Sequence, residues 1–337
     1  MSAATSHAEA PLRIGVAGAG AIGCTLAAVL ARGGQQVSLL ARGATLRAIA
    51  AGGVRLTDAA GTAEVPVRAS DSAAALGVQD VVFVCTKAQD VAGILPALAP
   101  MIGPDTTIVP LINGVPWWYF QGLPGRLEGR AVAAVDPQGV LAGSVRREQL
   151  VGAVVFITAE RVQPAEVVSP NPMLIILGEL AHMETPRVRR IAAALDAAGI
   201  EARVSPAIRD ALWTKVLANL TSNPLSVVSG GTLQQIYSDP RLLPIARKML
   251  DEGLALAAAY GARIVFDPPT FIAQGAAMGP IRTSMLQDAL HGRPLELAAI
   301  GDAVLELAEL QGIPMPVTRD VIGLARFRED AMRASRS

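Results

Sequence analysis

The sequence predicts an α/β protein in two parts, a helix-flanked parallel sheet followed by an all-helical half, and three observations predict it. The first is Gly18-x-Gly20-x-x-Gly23, which directly follows the apolar run 14–17 and opens an alanine- and leucine-rich helical pattern. In that strand–turn–helix setting the first glycine permits a tight turn, the second lets backbone approach a pyrophosphate, and the third lets helix pack on strand. The second is a series of apolar runs at 36–42, 81–85 and 107–112, of the kind buried in a parallel sheet. The third is a change of character after Pro206, where strand signals nearly vanish and helical periodicity dominates. Together they predict a Rossmann-type domain over 12–205 and a helical substrate or dimerisation domain over 206–337, with 1–11 as a disordered tail.

Bulk properties narrow the function. The 337 residues suffice for two domains with a sizeable core. The 29 Lys+Arg balance 29 Asp+Glu, so no global field favours nucleic acid or an acidic membrane surface. Hydrophobic residues make up 51% and mean hydropathy is +0.41, yet no run free of charge and helix breakers is long enough, at about 18 residues, to span a bilayer. Met1–Ala10 has neither the basic nor the apolar region of a secretory signal. Cys24 and Cys85 both lie in apolar segments and make no disulfide framework, which reads as a reducing, cytoplasmic setting. His7, His182 and His291 are scattered, leaving little from which to build a zinc site, so no metal is expected.

In chain order, Gly18, Ala19, Gly20, Ala21, Ile22 and Gly23 would present helix-start N–H groups and the positive dipole end to a dinucleotide. The next strand ends at Arg42, 19 residues beyond Gly23, where an NAD-binding unit usually places Asp or Glu on the ribose 2′-hydroxyl. A carboxylate would repel a 2′-phosphate, whereas a guanidinium pairs with it in a bidentate fork. NADP(H) is therefore favoured; a solvated arginine at a strand end is the alternative. A short helix at 44–51 and a hairpin of 53–57 with 63–68 follow. The strand 81–85 ends in Thr86-Lys87, at the carboxyl end where ligands collect. Lys87 is either a second cation near the nucleotide or a surface lysine opening a helix at 88–98.

The strand 107–112 runs into Asn113-Gly114. Asn113 offers a donor and an acceptor to a nicotinamide ribose or a substrate oxygen, although Asn-Gly is also a common turn dipeptide. The aromatic run Trp117–Phe120 would either wall a substrate pocket or plug the space between domains. Strand-like pieces follow at 131–135, 151–158, 167–168, 174–177 and 201–205, with a helix at 186–198 stopped by Gly199. Helical periodicity then marks 207–229, 239–261, 268–278 and 293–311; the apolar helices at 239–261 and 293–311 would serve a homodimer as readily as a core.

Lys215, Asn219 and Asn223 recur at i, i+4 and i+8, roughly on one helix face. Buried unpaired they would be costly, and asparagine is a poor helix former, so a polar cleft explains them better than a solvated face. Ammonium and carboxamide donors aimed at one point suit a carboxylate and the oxygen of a carbonyl undergoing reduction. Ser284 and Glu296 flank a turn and would return to the same cleft, although Glu296 alone reads as a carboxylate favoured at a helix start.

These residues resemble the ketopantoate reductase (2-dehydropantoate 2-reductase) family over about 12–325. The motifs stand in family order: the glycine turn, Thr86-Lys87, Asn113-Gly114, Trp213-x-Lys215-x-x-x-Asn219-x-x-x-Asn223-Pro224-Leu225, Ser284 to Asp288, and Gly292-Arg293-Pro294-x-Glu296. The resemblance implies a 6-phosphogluconate-dehydrogenase-like architecture with the substrate between the two domains. It implies NADPH as hydride donor, with Arg42 and Lys87 at the adenosine-phosphate end, and reduction of the 2-oxo acid ketopantoate to D-pantoate on the way to pantothenate. It further implies Lys215 as the catalytic lysine, Glu296 as the carboxylate on the substrate hydroxyl, and Asn113, Asn219, Asn223 and Ser284 as polar contacts to substrate or nicotinamide. An unperturbed lysine, with a pKa of about 10.4, is a poor acid at neutral pH; a desolvated cleft would lower that value and a nearby Glu296 would oppose the change.

The sequence departs from the family at the aromatic run 117–120, at Leu295 in place of a common threonine, and at Leu297-Ala298 where the family usually has Ile-Asp. These changes leave the reductase chemistry intact and leave the choice among 2-oxo acids open. Opine-type and 3-hydroxy-acid dehydrogenases share the two-domain plan, but opine-type enzymes rely on a histidine and none here sits in a suitable motif. A non-catalytic NADP sensor would have no need of Lys215, Asn219, Asn223 and Glu296 together.

Overall fold

A computed structural model describes residues 11–334, so the tail expected at 1–11 lies, up to residue 10, outside the described residues. The chain opens with β1 (Arg13–Ala17), α1 (Ala21–Arg32), β2 (Gln36–Leu40) and α2 (Gly43–Gly52). The hairpin strands β3 (Val54–Asp58) and β4 (Gly61–Val65) come next. They lead to β5 (Arg68–Ser70), α3 (Ala73–Leu76), β6 (Gln79–Val84), α4 (Val91–Ile94) and β7 (Ile102–Pro110). The main sheet has the order β5-β2-β1-β6-β7 with every pairing parallel. At its centre Val16 is flanked by Leu39 and Phe83 in register, all three buried, as a strand covered on both faces requires. The predicted parallel sheet is therefore present.

Beyond the sheet come α5 (Val140–Ser144), β8 (Val151–Phe156), β9 (Glu160–Gln163), β10 (Glu166–Ser169), β11 (Leu174–Glu179), α6 (Pro186–Ala197) and β12 (Glu201–Val204). They complete two smaller sheets, β4-β3-β10-β9 and β12-β11-β8. The helical half comprises α7 (Ile208–Ser229), α8 (Leu233–Ser238), α9 (Leu243–Ala259), α10 (Pro268–Ala277), α11 (Ser284–Leu290), α12 (Ala303–Gln311) and α13 (Pro316–Ala334). Its hub is α7, which packs on α9, α11 and α13 and on β8 of the first half.

Four local expectations are corrected. The second hairpin strand does not reach 68: it stops at Val65, before Pro66, and Arg68–Ser70 pairs with β2 instead. The helix expected at 88–98 is a chain of short 3₁₀ and α turns, because Pro96 and Pro100 lack the N–H that a continuous helix needs and the Ala88 amide is taken by Glu296. The piece at 131–135 is a turn, not a strand, since the Ala133 and Ala134 amides donate to the Glu306 carboxylate at 2.9 and 2.8 Å. The helix expected from 293 begins only at Leu297, after the Leu295 amide has been claimed by Glu329 at 3.0 Å; it runs as a wide π turn over Ala298–Asp302 before α12. The helices α11 and α13 extend the helical half beyond the predicted segments.

Candidate active site

The glycine turn owes its shape to close approach. Gly18 has φ +106°, a left-handed backbone that favours glycine. A Cβ on Gly23 would lie 1.8 Å from the Gly18 carbonyl oxygen, so only glycine fits where α1 meets β1. A Cβ on Gly20 would meet nothing within 4 Å; that side is open. The first turn of α1, with Ala21 and Ile22, has no side-chain cap and no acidic residue. Beside Gly18, the buried Thr86 hydroxyl has no partner among the described residues. An open glycine, uncapped helix amides and an unspent hydroxyl together fit a diphosphate.

Arg42 is the N-cap residue of α2, exposed just past the end of β2. Lys87 is placed differently. It follows β6, on the other side of β1 from Arg42, and its ammonium reaches into the helical half. There it donates to Asp288 at 2.5 Å and to the Pro294 carbonyl at 3.3 Å, and Asp288 also pairs with Arg293 at 3.0 Å.

Of the face expected on α7, Lys215 and Asn219 share one stripe and Asn223 does not. Thr214, Lys215, Ala218 and Asn219 form a half-exposed stripe between buried neighbours. Lys215 Nζ lies 4.6 Å from the centre of the Phe156 ring, and burial pushes its pKa down from 10.5 to about 8. No charge from Glu296 opposes that change. Asn223 is turned inward: its Nδ2 donates to the Asn219 Oδ1 at 3.3 Å, while its Oδ1 accepts from the Ser284 hydroxyl at 3.3 Å and the Met285 amide at 3.2 Å. This bracket seats the first turn of α11 on α7. Ser284 itself remains exposed.

Asn113 and Glu296 meet at the junction of the halves. Gly114 has φ +80°, and a Cβ there would lie 2.3 Å from the Ala299 carbonyl oxygen, which accepts the Val115 amide at 2.8 Å. That approach brings Asn113 into hydrogen-bond contact with Glu296, whose carboxylate also accepts the Ala88 amide at 3.3 Å. Burial raises the Glu296 pKa; the Ala88 amide, Lys87 and Asn113 partly counter this, and Asp288 adds to it. Two polar groups result: Lys215, Asn219, Asn223 and Ser284 along α7, and Asn113, Glu296, Lys87 and Asp288 at the junction. They are joined by α11, which carries Ser284 and Asp288 one turn apart on the same face.

Two neighbours were not singled out from sequence. Phe156 had no signal there beyond its place in a strand-like run, and Asp288 was read only as part of a motif. The aromatic run is a plug: residues 117 to 120 are no more than 1% exposed, and the Trp213 indole donates to the Tyr119 hydroxyl at 2.8 Å. Behind it the buried Arg209 guanidinium donates to the carbonyls of Tyr119, Gln121 and Leu180 at 2.6–2.9 Å. Among the described residues no cluster of His, Cys, Asp or Glu is arranged to hold a metal, and no helix is long and apolar enough to cross a membrane.

Comparison with known proteins agrees over most of the chain. The model of ketopantoate reductase PanE/ApbA matches residues 14–182, and that of its C-terminal domain matches 207–329. A 2-dehydropantoate 2-reductase of Mesorhizobium japonicum is 38% identical over 94% of this chain and 97% of its own. Among solved structures, a ketopantoate reductase candidate from Ralstonia solanacearum superposes with TM-score 0.90 at 39% identity, covering 96% of this chain and 99% of that one. The 2-dehydropantoate 2-reductase of Geobacter metallireducens does so with TM-score 0.82 at 28% identity, covering 94% and 99%.

Proposed function

The chain belongs to the ketopantoate reductase family, oxidoreductases of CH–OH groups, and from that premise we propose that it reduces a 2-oxo acid to the 2-hydroxy acid with NADPH, ketopantoate to D-pantoate foremost. The observation that carries the reading is Lys215: a half-buried ammonium with a pKa of about 8, on the stripe of α7 that also carries Asn219. A pKa near the working pH is what a proton donor needs.

NADPH supplies the hydride when bound. Gly18 to Gly23 and Thr86 would hold its diphosphate, and Arg42 would take the 2′-phosphate. Lys87, once released from Asp288, adds a second positive charge. Lys215 donates to the substrate carbonyl oxygen, stabilising the negative charge that grows there, and delivers the proton that completes the hydroxyl. Asn219 and Ser284 orient the substrate carboxylate, with Asn223 holding both in place. Asn113 would steady the nicotinamide ribose, and Glu296 accepts from the substrate's hydroxyl group. Neither nucleic acid nor membrane has a part in this chemistry, and a reducing cytoplasm is the natural setting.

The test is NADPH oxidation by the purified protein with ketopantoate beside a panel of other 2-oxo acids, repeated with NADH. Ketopantoate should give the highest kcat/KM, and NADPH should be preferred. Turnover confined to another 2-oxo acid would reassign the substrate, and no turnover with any of them would refute the reading.

A further inference from the structure

A lysine withdrawn from water normally finds a carboxylate. Lys215 has none. Its ammonium stands 4.6 Å over the face of the Phe156 ring at the end of β8, and no neighbouring charge or hydrogen bond acts on its proton. Of the acidic groups on the elements packed around α7, Asp251 of α9 and Asp320 and Asp330 of α13 are exposed and exert no influence on Lys215, and the others are engaged elsewhere. Glu252 of α9 accepts the Val317 and Thr318 amides, Glu179 of β11 binds Thr185 and Arg187, and Asp288 of α11 holds Lys87 and Arg293. Asp302 in the π turn pairs with Arg326, and Glu329 of α13 pairs with Arg333. On α7 itself Asp210 accepts the Arg263 amide, and Arg209 is taken up by carbonyls. The strand β8 and the helix α8 carry no charged residue.

We propose that Phe156 is a positioning residue of the reduction: its ring face stands where a counter-ion would stand and holds the Lys215 ammonium at the cleft. A ring quadrupole attracts an ammonium much more weakly than a carboxylate at the same distance. A carboxylate there would fix the cation so firmly that it kept its proton; an aliphatic side chain would leave it unsupported. The aromatic face lies between, steadying the cation while leaving it acidic enough to hand over its proton. The inference rests on reading Lys215 as the proton donor, and it adds the group that tunes that donor.

The chain has only three lysines, at 87, 215 and 248, so each is observable by NMR after isotopic labelling of lysine, and the Lys215→Arg protein identifies the signal of interest. In the wild type that signal should titrate near pH 8. Phe156→Leu keeps the site apolar and removes the ring, and pentafluorophenylalanine at the same position keeps the shape and reverses the quadrupole. Both should lower the midpoint by about half to one pH unit. The high-pH limb of the kcat profile should fall with it, while KM for NADPH stays within about twofold. A midpoint unmoved or raised in both variants overturns the role of Phe156. A lowered midpoint with an unmoved kcat profile upholds the ring's hold on the ammonium and refutes Lys215 as donor, so the two ideas fail separately.

Discussion

Replacing Lys215 by methionine should make the protein more stable while nearly abolishing turnover. The folded state holds this ammonium at a pKa of about 8 against 10.5 for a free side chain. At about 1.4 kcal/mol per pKa unit, a fully enclosed group would cost about 3 kcal/mol. Lys215 keeps some contact with solvent, and screening brings the figure to about 1–2 kcal/mol. Below pH 8 the lysine is protonated in both states, and the folded protein bears the whole cost. Between about pH 8 and 10.5 the unfolded chain binds more protons than the folded one, so wild-type stability rises with pH. Methionine has no such dependence. Urea midpoints at equal slope should therefore put Lys215→Met ahead by about 1–2 kcal/mol near pH 6.5, with the gap closing towards pH 10.5. Its kcat should fall by about 10²- to 10⁴-fold, the usual worth of a positioned proton donor. A gap of constant size across pH, or a mutant less stable at low pH, would refute the placement of this charge.

Other expectations follow from the same geometry. Arg42→Ala should raise KM for NADPH about ten- to a hundredfold, the worth of a charged hydrogen-bonded pair, and leave KM for NADH unchanged, as paired steady-state titrations would measure. Gly23→Ala places a Cβ 1.8 Å from the Gly18 carbonyl oxygen and should abolish NADPH binding by calorimetry. Gly20→Ala enters open space, leaves the fold intact by circular dichroism, and weakens binding only through the lost approach of the diphosphate. Glu296→Gln keeps the size of the buried group but not its charge; kcat/KM for the 2-oxo acid should fall at least about tenfold with KM for NADPH nearly constant.

The main sheet was legible because its strands are short apolar runs whose partners are fixed by their own crossovers. The two smaller sheets were not, since β10 finds β3 from more than a hundred residues away and no local pattern encodes that meeting. Three of the four misread segments share a cause, a distant carboxylate that claimed part of their backbone; the hairpin strand is instead stopped by Pro66. Glu306 turns 133–134 into a loop, Glu296 takes the Ala88 amide, and Glu329 holds 295 away from the helix. In the site, the Lys215–Asn219–Asn223 spacing gave the helix α7. It did not reveal that Asn223 points inward to hold its neighbours. Nor did it reveal that Lys87 spans to Asp288, since periodicity fixes direction on a helix and carries nothing about what stands opposite.

The change of character near 205 is a border in pattern and not in the core. One continuous apolar body runs from Val82, Val84 and Ile108 of the sheet through Trp117 to Phe120, and on to Leu217, Ile300 and Val321 of the helices. Arg209 adds a polar rivet, its guanidinium solvated wholly by carbonyl oxygens from the other side. The halves are therefore not independent folding units hung on a tether. Cutting the chain between them would lay bare the inner faces of both, and neither fragment would retain the junction where Asn113 meets Glu296.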